Sequence, residues 1–162
     1  MIFEKINGYR DGSFYTPGFI TMYMSREAIR RAVVQKFCAV KLPGCQNLAD
    51  FDDLCDKLDY TNKELRQKAN DIANSLRICD PAVGSGHFLV SALNEIIAVK
   101  SDLHILTDRD GKRLHGCVVN IENDELIVTV EDELFVYNPK DPESRRIQEA
   151  LFHEKQAIIE QC

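Results

Sequence analysis

One decapeptide, Asp80-Pro81-Ala82-Val83-Gly84-Ser85-Gly86-His87-Phe88-Leu89, places an acid, two glycines and a helix start in close succession. That pattern suits a cofactor cradle. Glycines at 84 and 86 let the backbone approach a ligand where a Cβ would obstruct it. The first amides of the following helix point out of its N-terminus with partial positive charge. A lone Gly-x-Gly is also compatible with a tight strand-to-helix connection that binds nothing, so the flanking residues must decide.

Three cofactor classes use such a turn. A phosphate-binding P-loop needs Gly-x-x-x-x-Gly-Lys-Ser/Thr, and no lysine follows Gly86. A dinucleotide fingerprint needs a third small residue where Leu89 stands. The methyltransferase sheet, in which an acid at a strand end and a Gly-x-Gly turn hold S-adenosylmethionine, fits Asp80, Gly84 and Gly86 best. A second stretch, "GSFYTP" at residues 12–17, agrees with it. "DPAVGSGHFL" closely resembles motif I of the γ-class N6-adenine DNA methyltransferases, written DPAxGSGxFL. "GSFYTP" resembles the motif that precedes it in that class, about sixty residues upstream as here. The resemblance is nearest to the large methylase subunits of type II restriction–modification systems, and it covers these two motifs alone.

The resemblance implies S-adenosyl-L-methionine as cofactor and the N6 amino group of adenine in DNA as methyl acceptor. It assigns Asp80, Pro81, Ala82, Gly84, Ser85 and Gly86 to the loop around the methionine and ribose. Asp80 would meet the methionine ammonium directly or through a water. Thr16, with the adjacent backbone of Pro17, would hold the carboxylate. Tyr15 and Phe88 would shape the pocket or simply pack, and His87 is expected as a solvent-exposed first-turn residue. The class transfers the methyl group at a second motif, Asn/Asp/Ser-Pro-Pro-Tyr/Phe/Trp, whose ring stacks on the flipped base. No such tetrad occurs here; Asn138-Pro139 is followed by Lys140 and reads as a turn. No catalytic residue is therefore assigned. The chain is expected to be an N-terminal piece of a larger enzyme, with DNA and the remaining methyltransferase and target-recognition domains as its partners.

The elements that must position these residues can be read from periodicity. Residues 1–16 read as irregular. Pro17 opens a helix with Ile20, Tyr23 and Met24 on one face, and Ser25 is expected to cap a second piece running to Val40. Residues 47–59 carry helical spacing, and Thr61 with Glu64 forms a capping-box signature for the next helix. "LRICD" at 76–80 reads as a buried parallel strand, and Phe88 to residue 99 as a helix. From about 114 to 137 the period falls to two, as in an antiparallel hairpin, before a last helix over 141–162. Asp108 could end a second parallel strand and hold the ribose, but "DRDGKRL" leads into antiparallel signals, so an inserted hairpin is preferred. The expected fold is α/β: a partial Rossmann-like methyltransferase with a helical N-terminal extension over 1–75 and the α/β domain beginning at 76–162.

Composition sets the remaining bounds. Of 162 residues 44% are hydrophobic and 28% charged, as in a globular protein. No apolar run approaches the roughly 18 residues of a membrane span. Six cysteines without a CxxC pair read as reduced thiols of a cytosolic protein; no metal site is expected. Net charge −6 argues against this segment as the main DNA-gripping surface. Arg26, Arg30, Arg31 and Lys36 form a basic helix side, read as solvated rather than DNA-contacting, with Arg145 and Arg146 similarly ambiguous. The acidic hairpin, Glu122, Asp124, Glu125, Glu131, Asp132 and Glu133, is expected to face away from a duplex or to meet another domain. Asp108, Asp110 and Gly111 lack the further ligands of a calcium loop. Two rivals remain: a methyltransferase acting on RNA or protein, and a non-catalytic interaction module of the same fold.

Overall fold

The computed structural model describes residues 16–161. Helix α1 spans Gly18–Val40, α2 Phe51–Lys57, α3 Lys63–Asn74 and α4 His87–Asp102. Strands β1 (Cys117–Glu122), β2 (Glu125–Val130) and β3 (Glu133–Leu134) form an antiparallel meander, and α5 (Pro142–Gln161) ends the described chain.

Helix α4 is the axis of the fold: α1, α3, α5 and β1 all pack against it. Its residues Asn94 to Ser101 are buried without a break, which a helix tolerates when it is covered on all sides. Ile96, Ile97 and Val99 supply apolar contacts. The polar side chains each face a partner from a different element, as burial requires. Asn94 Nδ2 donates to the Asp124 carbonyl at 2.8 Å, and Glu95 accepts from Arg30 Nε of α1 at 2.7 Å. Lys100 Nζ meets Glu154 of α5 and donates to Asn74 Oδ1 of α3 at 2.9 Å. Ser101 Oγ accepts the Val119 amide of β1 at 2.9 Å. Around this axis, Val33, Phe37, Leu54, Ala69, Leu103, Ile105 and Val119 close a hydrophobic cluster that runs through both sides of the boundary expected at residue 75.

Several local expectations are corrected. Helix α1 is continuous, and Ser25 lies buried in its middle instead of capping a second piece. Buried positions at Thr21, Ser25, Ile29, Val33 and Phe37 keep one face against the core, so the helix continues through the serine. Helix α3 is capped by Asn62, not Thr61: its Oδ1 accepts from the Glu64 and Leu65 amides at 2.9 and 3.2 Å. Thr61 turns instead to Asp59. Residues 76–80 form no strand, and among the described residues no neighbour pairs with them. A single parallel strand has nothing to bond until a second lies beside it. The hairpin, by contrast, matches its expected place. Its two-residue turns, Asn123-Asp124 and Glu131-Asp132, hold all four residues at positive φ, which matches the right-handed twist of the flanking strands.

Candidate cofactor site

The glycine turn keeps an open side. Gly84 and Gly86 adopt φ of +51° and +79°, a region that side chains with a Cβ rarely enter. A Cβ built on Gly86 would meet nothing within 4 Å, so the glycine is required by conformation and not by crowding. Asp80 is half-buried, and its Oδ1 accepts the Ala82 amide at 3.0 Å, which bends the chain as an Asx turn does. The Gly86 amide closes the next turn onto the Val83 carbonyl at 2.7 Å. Gly86 then stands as the N-cap of α4 with no side-chain cap, and no acid occupies the first turn. The N-terminal amides of a 16-residue helix therefore face an exposed loop, Pro81 to Ser85, with no carboxylate of the helix to neutralise them.

The upstream motif converges on the same place. Tyr15 lies outside the described residues; Thr16 and Pro17 are exposed at the start of α1. Gly18 sits so close to α4 that its Cβ would come within 3.0 Å of His87 Nε2. The chain directly after Thr16-Pro17 is thus brought to the first residue of α4. Phe88 is half-buried. His87, expected in solvent, is half-buried, with Nε2 enclosed 3.2 Å from Asp124 Oδ2 but off the line of a hydrogen bond. The reason is the hairpin: its first turn folds back onto α4, which no local pattern around residue 87 announces. Asp124 accordingly turns inward, while Glu122, Glu125, Glu131, Asp132 and Glu133 stay exposed.

On the basic side of α1, expected to be solvated, Arg30, Arg31 and Lys36 make contacts within the chain. Arg30 Nε and NH2 bond Glu95 and Asp102 at 2.7 and 2.8 Å, and its guanidinium lies 4.5 Å over the Phe51 ring. Burial works against the charge, yet the two carboxylates hold Arg30 above the ordinary arginine value. Burial raises Glu95 despite Arg30. Arg31 pairs with Glu27, and Lys36 bonds the Ser75 carbonyl and hydroxyl. Arg146 binds Asp108 Oδ2 at 2.6 Å, and Asp108 also accepts the Asp110 and Lys112 amides. Asp108 thus serves a local turn, closed by a Thr107–Arg113 bridge. Asn138 likewise forms a turn before α5, its Oδ1 accepting from the Lys140 amide.

Among the described residues no cluster of His, Cys, Asp and Glu is placed to hold a metal ion, and no helix is long and apolar enough to cross a membrane. Cysteines 38, 45, 55, 79 and 117 are free thiols, with burial raising Cys55 and Cys117 to about 11.

No protein-family model and no solved structure matches the chain. It is 36% identical over 100 residues to a Methanocaldococcus jannaschii protein named "putative type II restriction enzyme and methyltransferase". That match takes in 59% of this chain and 8% of the archaeal protein. The similarity supports a relationship to restriction–modification methyltransferases at that coarse level.

Proposed function

We propose that this chain is the S-adenosylmethionine-binding segment of a site-specific DNA adenine-N6 methyltransferase in a restriction–modification system. The observation that carries the reading is the glycine turn: two glycines at positive φ, open space beside Gly86, and an uncapped α4 N-terminus next to the chain that follows Thr16-Pro17. The motif resemblance and the similarity to the archaeal restriction–modification protein point the same way. The residues present fit the cofactor. Asp80 would meet the ammonium, Thr16 and the adjacent backbone the carboxylate, and the Gly84–Gly86 backbone would lie against the methionine and ribose. The cofactor supplies the electrophilic methyl group; the chain's own contribution is to hold it at a fixed place and orientation.

The fold proposal is a partial Rossmann-like methyltransferase. Its support is an apolar groove of about 380 Å³ lined by Ile78, Leu89, Val90, Leu93, Ile96 and Ile158, among others. A parallel sheet beginning at residues 76–80 would cover that side of α4, as such sheets are covered by their helices.

Calorimetric titration of S-adenosylmethionine tests the reading, with Asp80→Ala and Gly86→Val beside the wild type. Binding that vanishes in both variants supports it. A folded wild type that binds nothing, alone and within the longer parent chain, sinks the cofactor reading in favour of an interaction module. Radiolabel transfer by the parent then separates adenine in DNA from RNA or protein acceptors. This chain alone, without the Asn/Asp/Ser-Pro-Pro-aromatic tetrad, is expected to transfer none.

A further inference from the structure

Asp124 is a residue that neither motif includes, yet it touches α4, the helix that the glycine turn opens. It stands at the tip of the β1–β2 hairpin with φ of +66°. Its Oδ1 accepts from Ser91 Oγ at 2.8 Å, and its carbonyl accepts from Asn94 Nδ2 at 2.8 Å. Its Oδ2 lies 3.2 Å from His87 Nε2. Ser91 Oγ in turn lies 3.2 Å from Thr21 Oγ1, whose hydroxyl donates to the Gly18 carbonyl at 2.8 Å. The carboxylate therefore ties the hairpin tip to the first turns of α4, and Ser91 of α4 in turn lies against Thr21 in the first turn of α1.

A turn with both central residues at positive φ favours Asn-Gly, and an aspartate at its second position is conformationally second best. The contacts of the side chain explain its presence better than the turn does. We infer that Asp124 is a positioning residue: the hairpin is a brace that fixes the start of α4, and with it the glycine turn, against the start of α1. The brace acts on the cofactor through this geometry, a step that rests on the reading proposed above.

Asp124→Gly separates the two explanations, because it gives the turn its preferred Asn-Gly pair while deleting the carboxylate. Native-state amide exchange is read first, since it needs no ligand. Loss of this charge-assisted bond from Ser91 is expected to speed exchange at Val90 to Asn94 by about tenfold, with the Ala69 to Ala73 amides of α3 unchanged. Asp124→Asn keeps an acceptor for Ser91 and should restore most of the protection. Unchanged exchange at Val90 to Asn94 in Asp124→Gly would overturn the brace, as would loss in Asp124→Asn equal to that in Asp124→Gly. In titrations with S-adenosylmethionine the affinity of Asp124→Gly should fall about tenfold and that of Asp124→Asn by less. Full affinity in Asp124→Gly would refute the link to the cofactor. A wild type that binds no cofactor but shows the exchange pattern would retain the brace and discard the cofactor reading.

Discussion

Replacing Lys100 by methionine should damage this fold more than its size change suggests. The Lys100 side chain is fully enclosed, and the Glu154 carboxylate it meets has a side chain only 5% exposed. Methionine fills a similar volume but leaves Glu154 charged and without its cation, and leaves Asn74 Oδ1 without its donor. Breaking a buried pair from one side costs about 3–5 kcal/mol, against roughly 5–15 kcal/mol for a whole domain. For a chain of this length that corresponds to a melting temperature lower by about 6–20 °C. The pair itself is not a large source of stability: burial holds the Lys100 ammonium below the ordinary lysine value even beside Glu154. Removing both charges, in Lys100→Met with Glu154→Leu, should therefore recover most of the loss. Urea unfolding followed by circular dichroism measures all four corners of the cycle, provided the m-values agree. A single-variant cost under about 1 kcal/mol, or a double variant no better than the sum of the singles, would refute this account of the helix junction.

Three further outcomes follow from particular contacts. Gly86→Ala should cost about 1 kcal/mol in unfolding experiments, from φ alone, whereas Gly44→Ala should cost more because its Cβ would also lie 3.2 Å from the Lys57 carbonyl. Ser25 Oγ is buried without a hydrogen-bond partner among the described residues, so Ser25→Ala should leave stability unchanged or raise it by up to about 1 kcal/mol in the same assay. Burial pushes Asp108 up, but the Arg146 hydrogen bond, the Lys112 and Asp110 amides and the Arg146 charge hold it below the ordinary carboxylate value. Its folded value is thus the lower one: the stabilisation is present above about pH 4 and is lost as pH falls through the folded value. Acid titration of stability should show a shallower fall in Arg146→Met than in wild type.

Much of this architecture was legible where local forces decide it. The strands followed from period-two alternation between polar pairs, and α3 and α5 from apolar residues at helical intervals. The glycine turn was legible because conformation demands glycine there, whatever surrounds it. What stayed hidden depends on distant residues. Arg30 looks like a surface charge until Glu95 and Asp102, 65 and 72 positions away, arrive beside it. His87 and Asp124 gave no sign of each other for the same reason: a hairpin's composition reports which residues pair across it and not where its tip lands. The strand expected at 76–80 has the right composition, but pairing is a property of two segments, and composition reports on one.

The successive partners along α4 have a consequence for how such a chain can change. Each residue turns a helix by about 100° and lengthens it by about 1.5 Å. Asn94 and Glu95 address the hairpin tip and α1, while Lys100 and Ser101 address α5 and β1. One residue inserted between these two sets would aim the second set at the wrong neighbours, and one deleted would do the same in the opposite sense. Substitutions at solvent-facing loops leave that phase untouched. The helix therefore works as a fixed ruler: relatives of this chain should vary in loop length on either side of it while keeping its residue count, and a change of count inside it should mark a chain that has repacked all its neighbours.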